Sequence, residues 1–427
     1  MRTGFASGLK LFAFLFLVAL TALAVPARAG VTELISVNAR DSASGGYSFA
    51  GGMSANGRYV AFYSGSDDLV ANDTNGVVDV FVRDRQLGTT RRVSVGAHGQ
   101  QANDASSLDA ITPDGRFVLF VSDASNLVPH DTNRAADLFL RDLRSGTLRR
   151  VSLGRGGREG NARSTAGAIS ADGRYLAFVS DADNLVAGDT NDASDIFLRD
   201  LRIGAVRRLS ASASGVQGEF PSDAPSITPN GRFVAFLSHA DNLVPGDHSG
   251  DVDIFVRDLV RGTIERVSVA RDGGDADSSS LDPSMSADGR YVAFTSTASN
   301  LVPLPDNFQT NVFIRDRHTG RTERLDLAPS VSAGTIGTLE PVLSPTGRFV
   351  AVYLLLGSGA YIVDRTTGET RQLVKVASGR PERVGSATPA AISADGRRVL
   401  FHSSVNGLVA GDTNDRDDVF LRRLIPW

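Results

Sequence analysis

The sequence predicts an all-β protein, a seven-bladed β-propeller of four-stranded antiparallel blades. Three observations predict it: a short motif occurs seven times, its spacing is nearly constant, and each interval holds four strand-like segments. The motif runs from Ser54 to Phe62, with counterparts at Thr112 to Phe120, Ser170 to Phe178, Thr228 to Phe236, Ser286 to Phe294, Ser344 to Val352 and Ser393 to Phe401. Its glycines, Gly57, Gly115, Gly173, Gly231, Gly289, Gly347 and Gly396, are 58 residues apart five times and 49 the last time. Such a period marks one supersecondary unit stacked on copies of itself.

The third unit shows the pattern. Ala168 to Ser170 reads as a short strand, Ala171 to Arg174 as a tight hairpin turn, and Tyr175 to Ser180 as the returning strand. Asp195 to Leu201 is a third strand. Ala205 to Ser210 is a fourth, its apolar residues alternating with polar ones as a half-solvated outer strand requires. Strand two is apolar on both faces, as expected where a blade is sandwiched between neighbours.

The seventh unit has three strands, the last from Asp418 to Leu424. Near the N-terminus, Val31 to Val37 matches the fourth-strand segment just ahead of the fifth motif, Thr263 to Val269, with Glu, Ser and Val at equivalent places. Val31 to Val37 is therefore expected to complete the last blade and close the ring, which removes two exposed sheet edges.

Ahead of it, Arg2 and Lys10 precede an apolar run from Leu11 to Val25, followed by Ala27-Arg28-Ala29. That is the pattern of a secretory signal peptide cleaved near Ala29, so residues 1-29 are assigned to the signal and 30-427 to the propeller. A periplasmic or secreted location follows. The run is shorter than the ~20 residues a bilayer span needs, and no transmembrane segment is expected in the mature chain. Cysteine is absent, which excludes disulfides, thiolate metal sites and thiol nucleophiles. Loss of Arg2, Lys10 and Arg28 takes the formal charge from -4 to -7, against nucleic acid as a partner.

The series Ser-x-Asp-Gly-Arg, then Asp-Ile-Phe-Leu-Arg-Asp (Asp195 to Asp200) and Val-Arg-Arg-Leu-Ser (Val206 to Ser210), resembles the WD40-like (PD40) repeat of TolB-type β-propellers. The resemblance covers residues 30-427 and does not extend to TolB's separate N-terminal domain. It implies the propeller fold. For function it implies a range, from protein-binding platform to substrate-gating lid to lyase scaffold.

One loop recurs with ligand-like side chains. Between strands two and three lie Asp73, Asn75 and Asp79; Asp131, Asn133 and Asp137; Asp189, Asn191 and Asp195; and Asp412, Asn414 and Asp418. Oxygen donors at relative positions 1, 3 and 7 resemble the opening of a calcium loop. The glycine at position 6 and the glutamate at position 12 are missing, so this is no EF-hand. The alternative is that the Asx residues make side-chain-to-backbone turns. Unit four keeps Asp247 and Asp253 but has Ser249, unit five has Pro305, Asn307 and Asn311, and unit six lacks the loop. Intact loops thus occupy four consecutive blades: seven, one, two and three. They share a face with the Gly- and Ser-rich blade-to-blade connections, and that loop face is the candidate binding surface.

The Arg-Asp dipeptides Arg83-Asp84, Arg141-Asp142, Arg199-Asp200, Arg257-Asp258 and Arg315-Asp316 recur too regularly for a catalytic site. They are expected to form mutually dependent links between strands or blades. The six histidines form no metal-ligand spacing, and there is no Gly-x-Ser-x-Gly elbow and no phosphate loop. No catalytic residue and no cofactor other than calcium is assigned. The expected function is a monomeric exported scaffold binding a protein or cell-envelope polymer. The alternative is a carbohydrate-active lyase or hydrolase at the mouth of the central channel, where the departures Arg324, Asp326 and Glu340 in units five and six direct attention.

Overall fold

The computed structural model describes residues 30–303, 309–327, 338–354, 359–374 and 387–425. The expected signal segment, Pro305, Asn307 and Trp427 lie outside the described residues. Seven four-stranded antiparallel sheets are arranged as a seven-bladed β-propeller, with a single short 3-10 turn at Arg155–Gly157 among the described residues. Blade three consists of Ser164–Ile169, Tyr175–Ser180, Asp195–Asp200 and Ala205–Arg208.

The innermost strand is twice as long as the sequence suggests, beginning at Ser164 rather than Ala168. Its first half, Ser-Thr-Ala-Gly, carries no apolar alternation, and a register shift between Thr165 and Ala168 breaks the period there. Ala166 lies at φ 46°, and the equivalent bulge residues Ala224, Asp282 and Glu340 at 53°, 54° and 52°. A bulge bends each of these strands where it runs along the ring axis.

Blade seven is composite, as expected. Thr32–Leu34 pairs antiparallel with Asp418–Arg423, Thr32 opposite Arg422 and Leu34 opposite Phe420. Hydrogen bonds from Ile35 N to Val419 O at 2.8 Å and from Arg423 N to Val31 O at 2.9 Å extend the contact at both ends.

Cores lie between blades. Leu119, Leu138 and Leu140 of blade two pack with Leu176, Phe178 and Phe197 of blade three in one buried cluster. The hairpin turn adds a second contact across each boundary. Gly173 has φ 70°, and a Cβ there would fall 2.5 Å from the Phe117 ring of blade two, so the turn closes on the aromatic only without a side chain. Arg174, next in the turn, lies over its own Tyr175 ring at 4.6 Å and donates to Asp200 at 2.8 and 3.1 Å. In blade seven the aromatic position is Arg398, and Gly57 of blade one meets that arginine.

Deletion of residues 31–37 leaves Asp418–Arg423 as an open edge. The expected outcome is a lower unfolding midpoint together with concentration-dependent association by light scattering; unchanged values would contradict closure by this strand.

Candidate functional site

In blades one to four and seven the third strand starts with a buried aspartate at the loop face, and the loop residues converge on it. Asp195 accepts hydrogen bonds from the Ser210 hydroxyl, from Asn191 Nδ2 at 3.2 Å and from Arg208 Nη1 at 3.0 Å. The same Arg208 nitrogen is 2.9 Å from Asp189. Asn191 also donates to Gly218 O in the connection to blade four, at 2.8 Å. The amide is thus a clamp between one blade's loop and the next blade's entry.

Blade one repeats this with Arg92 at 2.7 Å from Asp73 and 2.9 Å from Asp79, and with Asn75 2.8 Å from Asp79. In blade two Arg150 is 3.2 Å from Asp131, 3.0 Å from Asp137 and 2.5 Å from Glu159, and Asn133 is 3.2 Å from Asp137. Blade four keeps the arrangement without the Asn: Arg266 is 2.6 Å from Asp247, 3.1 Å from Asp253 and 2.7 Å from Asp275.

The structure therefore brings the expected loop residues together, and puts a guanidinium between the two aspartates in blades one to four. Asp131, Asp137 and Glu159, whose oxygens lie within 4.8 Å of one another, are the one metal-sized group of three among the described residues, and Arg150 contacts all three. Burial pushes Asp131, Asp189 and Asp247 up to about 6, against the opposing charge of their arginines. Glu159 goes the other way: burial would raise it, but hydrogen bonds from Thr132 and the Arg150 charge hold it at about 2.

Blade seven has the acids without the arginine. The position that carries Arg92, Arg150, Arg208 and Arg266 is opposite the third-strand Phe, and there the closing strand supplies Leu34. Asp412 and Asp418 are 2% and 0% exposed. Asp418 accepts from Ser36 Oγ at 2.6 Å and Asn414 Nδ2 at 2.8 Å, and Asn414 clamps Ser44 O at 2.8 Å. No guanidinium or ammonium contacts either carboxylate among the described residues. Burial pushes Asp418 up to about 6 and also raises Asp412 and Asp417, whose Oδ1 is buried with no donor.

The Arg-Asp dipeptides link the ring, but not to each other. The aspartates pair with the turn arginine of their own blade, as in Arg116–Asp142 at 2.7 Å and Arg232–Asp258 at 2.8 Å. Three of the arginines reach carbonyls of the preceding blade or its connection: Arg141 donates to Val93 O at 3.1 Å, Arg199 to Leu153 O, and Arg257 to Ser212 O at 3.3 Å. Adjacent residues on a strand point to opposite faces, so the two side chains serve different boundaries.

Two channel-side features escape the repeat pattern. Tyr47, Phe49, Tyr63 and His402 form an aromatic cluster where blades seven and one meet, with Phe49 5.5 Å from Tyr47, 5.3 Å from Tyr63 and 5.0 Å from His402. Tyr47 is 40% exposed at the loop-face end of the innermost strand Ser48–Met53. Burial lowers His402 to about 4, so the ring is neutral at physiological pH. Asp109, on innermost strand Ser106–Ile111, accepts from Gly167 N of blade three at 2.9 Å, and burial pushes it up to about 7. Arg324 and Asp326 do not join this region. They lie at the outer edge of blade five, whereas Glu340 is on an innermost strand.

No protein-family model matches the chain, and no curated protein matches it. Among solved structures it is similar to an oligogalacturonate lyase from Vibrio parahaemolyticus, with 11% identity over 93% of this chain and 97% of that one and a TM-score of 0.55. A prolyl endopeptidase gives 11% identity, 90% and 50% coverage and a TM-score of 0.51. TolB from Acinetobacter baumannii gives 16%, 86% and 81%, and 0.39. At such identities the likeness shows the propeller fold alone. No described helix is long and apolar enough to cross a membrane.

The raised carboxylates set a pH dependence. A proton held more tightly by the folded chain contributes stability that is fully present below the ordinary carboxylate value, about 4, and is lost as pH rises through the folded value, about 6 for Asp418. Urea unfolding midpoints are expected to fall between pH 4.5 and 6.5, and Asp418→Asn to flatten that fall by about one proton's share. An unchanged slope in the variant would remove Asp418 from the account.

Proposed function

We propose that the chain is an exported member of the WD40-like (PD40), TolB-type repeat proteins. On this reading the signal segment 1-29 directs it to the periplasm or outside the cell, and the ring serves as a binding scaffold for a protein or cell-envelope polymer. The observation that carries the binding reading is the cluster of Tyr47, Phe49, Tyr63 and His402. Among the described residues it occurs once, it is not needed to join blades elsewhere, and it presents Tyr47 to solvent on the loop face. Exposed amphipathic aromatics suit protein and sugar surfaces alike.

A second reading, a carbohydrate-active enzyme at the channel, is supported by Asp109. A carboxyl group near 7 beside an innermost strand has the proton affinity a general acid or base requires. The lyase named above lends this reading only the shared fold.

Isolated cell-envelope material, sedimented with the mature protein, tests both. Retention is expected for the native chain and loss of most of it for Tyr47→Ala, whose exposed ring contributes little to the core. No retention of the native chain, or equal retention of the variant, overturns the scaffold reading; consumption of the polymer, abolished by Asp109→Asn, favours the enzyme.

Calcium belongs to this proposal in a narrower form. In blades one to three the arginine already takes a cation's place between the aspartates. Blade seven leaves that place open: Asp412 and Asp418 are buried oxygen donors without a counter-charge among the described residues. These residues would hold the ion, and it would supply charge neutralisation at the ring closure. Excess calcium is expected to raise the unfolding midpoint relative to chelator. Leu34→Arg, which installs the guanidinium of the other blades, is expected to abolish that calcium response. Superimposed native curves with and without calcium exclude the ion.

A further inference from the structure

Blade five departs from the charge pattern in the opposite sense, with an arginine that has lost its acids. Arg324 occupies the place of Arg92, Arg150, Arg208 and Arg266, opposite Phe313. Its loop partners in the repeat are replaced by Pro305 and Asn311. It turns instead to Asp326, 72% exposed, at 2.7 Å.

A second change opens the neighbouring ground. Arg141, Arg199 and Arg257 stand opposite Leu148, Val206 and Ile264 on the outer strand, and each reaches back to the preceding blade. Arg315 stands opposite Thr322, whose hydroxyl takes its Nη1 at 3.0 Å. Arg83 also bonds a hydroxyl, that of Thr90 at 3.2 Å, and in addition pairs with Asp41 of the connection from blade seven at 3.7 Å. The Thr322 hydroxyl thus holds the Arg315 guanidinium on its own blade. On blade five the result is a cavity of about 620 Å³ at the outer edge, on the side of blade four, where Arg271 enters it from the connection between the two blades.

Four arginines, Arg271, Arg315, Arg321 and Arg324, line this cavity, against the carboxylates of Glu323 and Asp326, with Leu301, Val302 and Pro303 as an apolar wall. Both acids are already engaged, Glu323 with Arg365 at 2.6 Å and Asp326 with Arg324. Glu265 of blade four, which faces Arg315, pairs with Arg317. Asp272, next to Arg271, caps Gly274 N at 3.0 Å. Arg271 and Arg321 have no carboxylate partner among the described residues. The cavity lining thus carries four guanidinia against two carboxylates, in a chain whose net charge is -4.

We propose that this cavity is a binding site for a small polyanion, a ligand of roughly disaccharide size carrying two or more phosphate or carboxylate groups. Guanidinium forks match such oxyanions bidentately. A cavity of this volume lies within the range of small-ligand sites. The apolar wall takes the ligand's carbon face, and the site is separate from the loop-face aromatic cluster, so it stands whether or not that cluster binds.

Calorimetric titration of the mature protein with pyrophosphate and with citrate, at low and high salt, tests it. Saturable binding of at least one is expected, weakened tenfold or more in Arg271→Ala/Arg321→Ala, whose exposed side chains hold no carboxylate partner among the described residues. Thr322→Val is expected to weaken binding as well, by releasing Arg315 towards blade four. An Arg40→Ala control should bind as the native chain does. The stronger of the two probes identifies the oxyanion. Absence of binding with both probes at low salt, or affinity unchanged in the double variant, overturns the proposal.

Discussion

In blades one to four a carboxylate is buried where the third strand begins, and its counter-charge must come from inside the fold. The solution, repeated in four blades, is an arginine from the neighbouring outer strand, and much else follows from it. The arginine draws strands three and four together at the loop face. Its second acid, Asp73, Asp131, Asp189 or Asp247, fixes the path of the long loop, and Asn75, Asn133 or Asn191 carries the order on to the next blade's entry. Removing one partner of such a network strands a buried charge at a cost of about 3–5 kcal/mol. Hydrogen bonds from Ser, Asn and Arg to one aspartate therefore stand or fall together.

Where the network is incomplete, the ring is free to do something else. Blade seven takes its outer strand from the other end of the chain, and Leu34 arrives where an arginine is due. The closure therefore leaves Asp412 and Asp418 with hydrogen bonds and no cation. Blade five keeps its arginine and loses the acids, and with Thr322 holding Arg315 a second guanidinium stays at the surface. The two exceptions have opposite sign, so they present different chemistry around one rim.

The architecture was legible because it is written in backbone requirements. Gly173 must be glycine to meet Phe117, strand two must be apolar on both faces, and Thr32–Leu34 must resemble a fourth strand to pair as one. The site was less legible. Loop aspartates with calcium-like spacing were visible, but their nearest cation lies on another strand. The signal was present all the same: Arg92, Arg150, Arg208 and Arg266 each follow the first loop aspartate by 19 residues. The Arg-Asp dipeptides misled for a related reason, since neighbours in a strand face opposite ways, and Arg141 and Asp142 never meet. Tyr47, Phe49, Tyr63 and His402 come from two ends of the chain and follow no period, so only ring closure assembles them.

Repetition and function draw on different residues in such a ring. The side chains that recur are consumed in joining blades: glycine against aromatic ring, arginine against carbonyl, aspartate against guanidinium. A ligand competing for them would have to break a boundary that the closed ring needs. Side chains that depart from the pattern have no such duty, and in this chain they gather at the seven–one junction and on blade five. A rigid ring also holds those departures at set positions without ordering them anew on binding, which lowers the entropic cost of recognition. That the seven–one junction exposes Tyr47 beside its aromatic cluster, and that Arg324 on blade five has lost the acids of the repeat, makes irregularity itself the guide to where this propeller meets its ligands.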